Sequence, residues 1–174
     1  MSITGEGYYN KEHAMIRLVL ILSLFASTAC AQFPDGTLVF SAKPGTIIGN
    51  VAMGMASNAQ GSASRFTHVG IILNNRVYHA DYPWVSTRKI GSLKLGERAI
   101  YVVPTRAYSV KESNRMLAYA VSQIGKRYRL KGFIRCDGTE GWCSPFVKNV
   151  LNAGGYRLTY RDGFTPDNLL KAIR

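Results

Sequence analysis

The sequence predicts an α+β domain in which an antiparallel sheet packs against helices. Three observations lead there. The stretch RFTHVGIIL-NN-RVYHADY sets two β-rich runs on either side of two asparagines, which tolerate positive φ, and so reads as a hairpin. Two further runs, DGTLVFSA at 35–42 and RAIYVVPTR at 98–106, read as a turn with a first strand and as another strand. The strands sit close together in the chain and the clear helices follow them, which fits α+β better than a parallel α/β sheet.

The N-terminus reads as a segment apart. From Met15, MIRLVLILSLFASTACAQ has one Arg, an apolar run from Leu18 to Ala26 and then small residues, the order of a secretory signal. The run is shorter than the roughly 20 residues a membrane-spanning helix needs. Ala29-Cys30-Ala31 fits cleavage after Ala31, and Ala29-Cys30 also fits a lipoprotein junction, although Ser27 stands where a branched apolar residue is usual. Residues 1–31 are therefore expected to be an N-terminal extension and signal peptide, with Met15 an alternative start, and 32–174 a single domain. The expected location is periplasmic or secreted, with membrane association if Cys30 is lipidated.

Residues 44–64 are rich in Gly, Ala, Ser and Asn and read as a helix followed by a loop. In the hairpin, a loop at Asn74-Asn75 pairs Leu73 with Arg76, Gly70 with His79 and His68 with Asp81. Strand side chains alternate in direction. His68, Gly70, His79 and Asp81 then share one face, and Val69, Ile71 and Leu73 the other. Two of the three histidines of the chain thus come within reach of each other beside a carboxylate. After the strands, SVKESNRMLAYAVSQIG reads as a helix with a Ser109/Glu112 capping box, an apolar stripe at Leu117, Ala120, Val121 and Ile124, and a stop at Gly125. CSPFVKNVLNAGG reads as a second helix, ended by Gly154-Gly155. TPDNLLKAI reads as a third, with Thr165 as N-cap and Pro166 at the first helical position.

At 174 residues, with 47% apolar and 18% charged residues, the chain is long and apolar enough for one ordinary core. Its formal net charge is +12. The first 30 residues contribute nothing to that, because Glu6 and Glu12 cancel Lys11 and Arg17. A basic surface suits nucleic acid, anionic lipid or an anionic polymer such as a bacterial wall. No nucleic-acid module signature accompanies the scattered Lys and Arg, so nucleic acid is not an expected partner.

Within DGTEGWCSPFVKNVL, Cys143 stands at the predicted start of a helix. There the positive end of the helix dipole favours a thiolate, and backbone N–H groups can hold a developing oxyanion. With a histidine on a facing sheet and a polar group to orient it, this is the arrangement of a cysteine hydrolase. Two other readings stand beside it. An exported chain meets an oxidising compartment, where Cys136 and Cys143, with Gly138 and Gly141 between them, could pair as a disulfide. Two His and one Asp could also bind zinc, but no further ligand cluster is evident, and neither a metal nor another cofactor is expected.

The combination FTHVGIIL, RVYHADY, GKRYRL and GWCSPFV resembles the circularly permuted papain-like branch of the NlpC-type cysteine peptidase superfamily, the YiiX-like enzymes. The likeness runs from DGTLVF at 35 to TPDNLL at 170. It implies a permuted papain-like fold, an antiparallel sheet or half-barrel with the nucleophile at a helix N-terminus. In that branch the His-bearing strand precedes the Cys-bearing helix. The resemblance makes Cys143 the nucleophile, His68 the general base and His79 the third polar residue, and the hairpin register, which sets Asp81 across from His68, makes Asp81 the reserve for that third place. Trp142 and Asp81, beside these residues in the same motifs, and Tyr128 of GKRYRL are the expected substrate contacts. Two departures stand out: Pro145 occupies a position that is acidic in many relatives, and WCSPF does not match the NCEHF-type motif of the lecithin:retinol acyltransferase-like relatives.

The leading expectation is an exported cysteine hydrolase that cuts amide bonds in peptidoglycan stem peptides by a Cys-His-His or Cys-His-Asp mechanism. Its rivals are a lipid hydrolase or acyltransferase using the same triad, and a non-catalytic secreted domain held by a Cys136–Cys143 disulfide. The basic surface is expected to recruit peptidoglycan or another anionic polymer.

Overall fold

A computed structural model describes residues 33–42, 65–90, 99–127 and 142–174, all within the compact unit Phe33–Arg174. The expected signal peptide with Cys30, the 44–64 segment, Tyr128 and Cys136 lie outside the described residues.

Among the described residues, five strands form one open antiparallel sheet: β1 (Leu38–Ser41), β2 (His68–Leu73), β3 (Arg76–Asp81), β4 (Trp84–Lys89) and β5 (Ala99–Val102), in the order β4-β3-β2-β1-β5. Three helices follow, α1 (Val110–Gln123), α2 (Cys143–Ala153) and α3 (Pro166–Ala172), with a 3-10 turn at Arg161–Gly163 before the last. The chain is therefore α+β, as its pattern predicts.

The β2–β3 hairpin has the predicted register, Leu73↔Arg76, Ile72↔Val77 and Ile71↔Tyr78. Its two-residue loop places Asn74 and Asn75 at φ 47° and 57°. Two successive left-handed residues match the twist of the flanking strands, and asparagine tolerates that conformation better than most side chains. The Asp35 carboxylate accepts the Asn74 N–H at 2.7 Å and ties the turn to the start of β1.

Strand alternation sorts the side chains between two faces. Leu38, Phe40, Val69, Ile71, Leu73 and Ala80 enter the main core, where Met116 and Ala120 of α1, Val147, Val150 and Leu151 of α2, and Leu169 of α3 meet them. Each fully buried Val, Leu, Ile, Phe or Met among these contributes about 1.5–3 kcal/mol relative to exposure. The other face has a small apolar patch, Val39, Ile72 and Val77, covered by Phe33 and Ile90.

The capping box of α1 forms as predicted: the Ser109 hydroxyl accepts the Glu112 N–H, and the Glu112 carboxylate accepts the Ser109 N–H. The buried stripe of this helix differs from the predicted one. Met116 and Ala120 are buried, while Val121 and Ile124 are 49% and 43% exposed. The cause is the approach of α1 to the end of α2, where Met116 fills the space a side chain on Gly154 would occupy: a Cβ there would lie 2.7 Å from Met116. β4 has no counterpart among the predicted strands. It is an edge strand, its only buried residue is Val85, and WVSTRK therefore lacks an apolar alternation. Thr165 caps α3 by accepting the Asn168 N–H at 3.1 Å, with Pro166 in the first turn.

Two predictions follow from this geometry. Asn74→Val or Asn75→Val forces a β-branched residue into the left-handed region and should cost about 1–2 kcal/mol each, with glycine neutral or stabilising, as read by urea unfolding. Glu112 is the second case. The Arg106 guanidinium first, then the Ser109 backbone and hydroxyl, hold its carboxyl down to about 2 from 4.5. A depressed carboxylate stabilises the fold above its unfolded pKa, and that contribution is lost as pH falls from 4.5 toward 2. Thermal melts of Glu112→Gln should show a smaller acid-induced drop across that window than the parent chain.

Candidate active site

The register that builds the hairpin also builds a polar cluster on the hairpin face opposite Val69, Ile71 and Leu73. Continuing the pairing beyond Ile71↔Tyr78 sets Gly70 opposite His79. Gly70 is required there: a Cβ would lie 2.9 Å from Val77 Cγ1 and 3.4 Å from His79 Cβ. His68, at the start of β2, leans diagonally toward His79. Their rings are nearly perpendicular, with centroids 5.2 Å apart, and His68 Nε2 lies 3.2 Å from His79 Nδ1. On the other side of β3, the pairing His79↔Ser86 brings Ser86 Oγ to 3.1 Å from His79 Nε2. Both ring nitrogens of the buried His79 thus have partners.

Cys143 is the first residue of α2, and its N-cap, Trp142, offers no side-chain acceptor to the first-turn N–H groups. Pro145 is accommodated because a first-turn residue needs no intrahelical N–H. The Cys143 thiol is free and buried. It meets the backbone of Val69, the residue after His68. The strand pairing explains how. The Ile72 N–H bonds Thr37 O on the β1 side, so alternation points the Val69 N–H toward β3. Yet the β2–β3 pairing stops at Ile71↔Tyr78 although both strands run on, to His68 and to Asp81. At this unpaired end the Val69 backbone bonds the thiol. The nucleophile candidate and the histidine pair therefore belong to the same end of β2.

The electrostatics oppose a resting thiolate. Burial pushes the Cys143 pKa up, and the Asp81 carboxylate pushes it further in the same direction. Hydrogen bonds from the Val69 backbone and from the side chain and backbone of Ser144 pull it down without reversing the shift. The expectation that the helix N-terminus favours a thiolate thus meets a stronger desolvation effect, and the group needs a base to become a nucleophile.

Of the expected substrate contacts, Asp81 lies close enough to act on the thiol, and its Oδ1 accepts the Tyr82 N–H at 3.0 Å. Trp142 lies in the core rather than on a surface open to substrate. It is 2% exposed, packs edge-on against Phe164 and donates its indole N–H to the Phe164 carbonyl at 3.3 Å. Tyr128 lies outside the described residues. Ser86 is the site residue that sequence reasoning passes over. Its signal lay in β4: once WVSTRK is read as the partner of β3, Ser86 falls opposite His79.

His68 and His79 by themselves supply two of the three or four protein ligands of a zinc site. Among the described residues no group of three or more His, Cys, Asp or Glu side chains forms such a set.

Asp81 opposes the thiolate, so Asp81→Asn should lower the Cys143 pKa and speed alkylation by iodoacetamide at neutral pH. The isosteric change leaves access unaltered. A rate equal to that of the parent chain would show that the Asp81 carboxylate does not act on the thiol.

No protein-family model matches the chain, and no curated protein matches it. Among solved structures, the crystal structure of the metalloprotein YiiX from Escherichia coli O157:H7, a DUF1105 protein, is similar, with a TM-score of 0.56 and 20% sequence identity over 72% of this chain and 69% of that one. At this identity the likeness concerns the fold, and the chain has a YiiX-like fold.

Proposed function

We propose that this protein is an exported cysteine hydrolase of permuted papain-like architecture that cleaves amide bonds, with peptidoglycan stem peptides as its substrate. The observation that carries this reading is the meeting of a free thiol at a helix N-terminus with the end of the strand that bears a paired histidine.

In the proposed reaction, His68 Nδ1 takes the Cys143 proton, since its Nε2 is directed to His79. The thiolate attacks the carbonyl carbon and the developing oxyanion lies against the first-turn N–H groups of α2. The imidazolium then gives its proton to the leaving amine as the C–N bond breaks. Water, deprotonated by the same ring, cleaves the thioester and returns the free thiol. Because the resting thiol is held protonated by burial, removal of the base costs more here than at a preformed thiolate. The signal-like N-terminus and the +12 charge support an exported chain that works on an anionic polymer.

A specific feature favours the second reading, a lipid substrate. Tyr82 and Trp84, at the tip of the β3–β4 hairpin beside Asp81, are 65% and 44% exposed. The Arg127 guanidinium lies 5.5 Å from the Trp84 ring centroid. Exposed aromatics with a cation suit the interface of an anionic membrane.

The test is incubation with purified peptidoglycan and, in parallel, with anionic phospholipid vesicles, with mass analysis of the products. New amine termini from the wall, absent with Cys143→Ala and reduced about a hundredfold or more in a folded His68→Ala, are expected. Products from lipid alone would put the acyl-lipid reading first, and full turnover by Cys143→Ala would end both.

A further inference from the structure

Ser86 completes an unbroken row: Ser86 Oγ, His79 Nε2 and Nδ1, then His68 Nε2, with separations of 3.1 Å and 3.2 Å. The row is built into the sheet. β4 pairs with β3 from Arg76↔Lys89 to Asp81↔Trp84, so the position of Ser86 opposite His79 cannot shift without moving the whole strand. The far edge of β4 is itself fastened, because the Val85 N–H donates to the Lys126 carbonyl and the Gly125 N–H to the Val85 carbonyl, both at 2.9 Å.

We propose that Ser86 is a positioning residue which, by accepting the His79 Nε2–H, sets the proton order of both rings and leaves His68 Nδ1 able to take a proton. The inference deepens the proposed function and rests on His68 as its base. A neutral imidazole carries one N–H, so the two contacts of this row can be satisfied in two proton orders. In the first, His68 Nε2–H donates to His79 Nδ1 and His79 Nε2–H donates to Ser86 Oγ, leaving a lone pair on His68 Nδ1. In the second, the Ser86 hydroxyl donates to His79 Nε2 and His79 Nδ1–H donates to His68 Nε2, which leaves the only His68 proton on Nδ1, where no base can act.

The choice between the two is forced once His68 is charged. The proton from Cys143 comes to Nδ1, and both nitrogens of the imidazolium then carry hydrogen. Nε2–H must donate to His79 Nδ1, so the single His79 proton must sit on Nε2, and Ser86 must accept it. No proton passes along the row: the charge stays on His68, and His79 and Ser86 only present acceptors. His79 is 2% exposed, so removing the Ser86 hydroxyl takes an acceptor away from a buried Nε2–H, which disfavours the imidazolium state.

The experiment reads the ring tautomers directly. Imidazole 15N spectra of the full folded chain are recorded for the parent, Ser86→Ala, and the shape-matched pair Ser86→Thr and Ser86→Val. His68 is expected with Nε2 protonated and Nδ1 bare in the parent and in Ser86→Thr, and shifted toward Nδ1–H in Ser86→Ala and Ser86→Val. The Thr and Val variants separate the hydroxyl from packing. A parent His68 already protonated on Nδ1, or a His68 tautomer unmoved in Ser86→Val, overturns the proposal. These spectra need no substrate, so they stand or fall apart from the hydrolase reading. In the wall-hydrolysis assay, Ser86→Val should lose about ten- to a hundredfold in kcat with KM within about twofold, and Ser86→Thr should restore kcat. An unchanged kcat in Ser86→Val, with Cys143→Ala inactive, overturns the role of Ser86 while leaving the nucleophile in place.

Discussion

The pairing of β2 with β3 is the constraint on which the site depends. A slip of one residue would exchange the two faces of β2, turning His68 to the side where Val69, Ile71 and Leu73 now pack and moving those three to the other. Three things prevent it: the left-handed pair Asn74–Asn75, the Asp35 carboxylate on the Asn74 N–H, and the full burial of those three apolar side chains. The register then determines where every polar group lands. Gly70 gives the two rings room, His68 and His79 meet across the hairpin, and β4 delivers Ser86 to the outer nitrogen of His79.

The same hairpin is unpaired where the chemistry would take place. A ladder continued to Val69↔Ala80 would engage the Val69 N–H with β3. Here that backbone group bonds the Cys143 thiol at the head of α2. The opening of the strands and the docking of the helix are therefore one event, since a buried N–H that leaves its ladder needs another acceptor. It also explains why a cysteine at a helix N-terminus has a raised pKa. The dipole and three hydrogen bonds favour the thiolate, but a site walled by apolar side chains and a nearby carboxylate disfavours it more.

Much of this was legible in the chain. The hairpin turn, its register, the convergence of the two histidines, the capping box at Ser109 and Glu112, and the Thr165-Pro166 start of α3 all rest on interactions between residues close in sequence. Local geometry decides them wherever the rest of the chain lies. The errors arose where distant packing decides. The apolar stripe of α1 gave Val121 and Ile124 as core, but the face that is buried is the one Gly154 lets closest. Trp142, beside the nucleophile candidate in sequence, points into the core toward Phe164, because a side chain at a helix N-cap follows the packing of the whole layer.

The sequence by itself determined an α+β chain, the faces of the β2–β3 hairpin and a cysteine at the head of a helix, because strand alternation, turn chemistry and helix caps operate over a few residues. Only the tertiary structure decided that β4 is a strand and that Ser86 completes the histidine row. It alone brought the Cys143 thiol to the backbone beside His68 and left that thiol protonated. Each of those depends on which surfaces exclude water together, and desolvation belongs to the assembled layers of sheet and helix rather than to any short stretch of the chain.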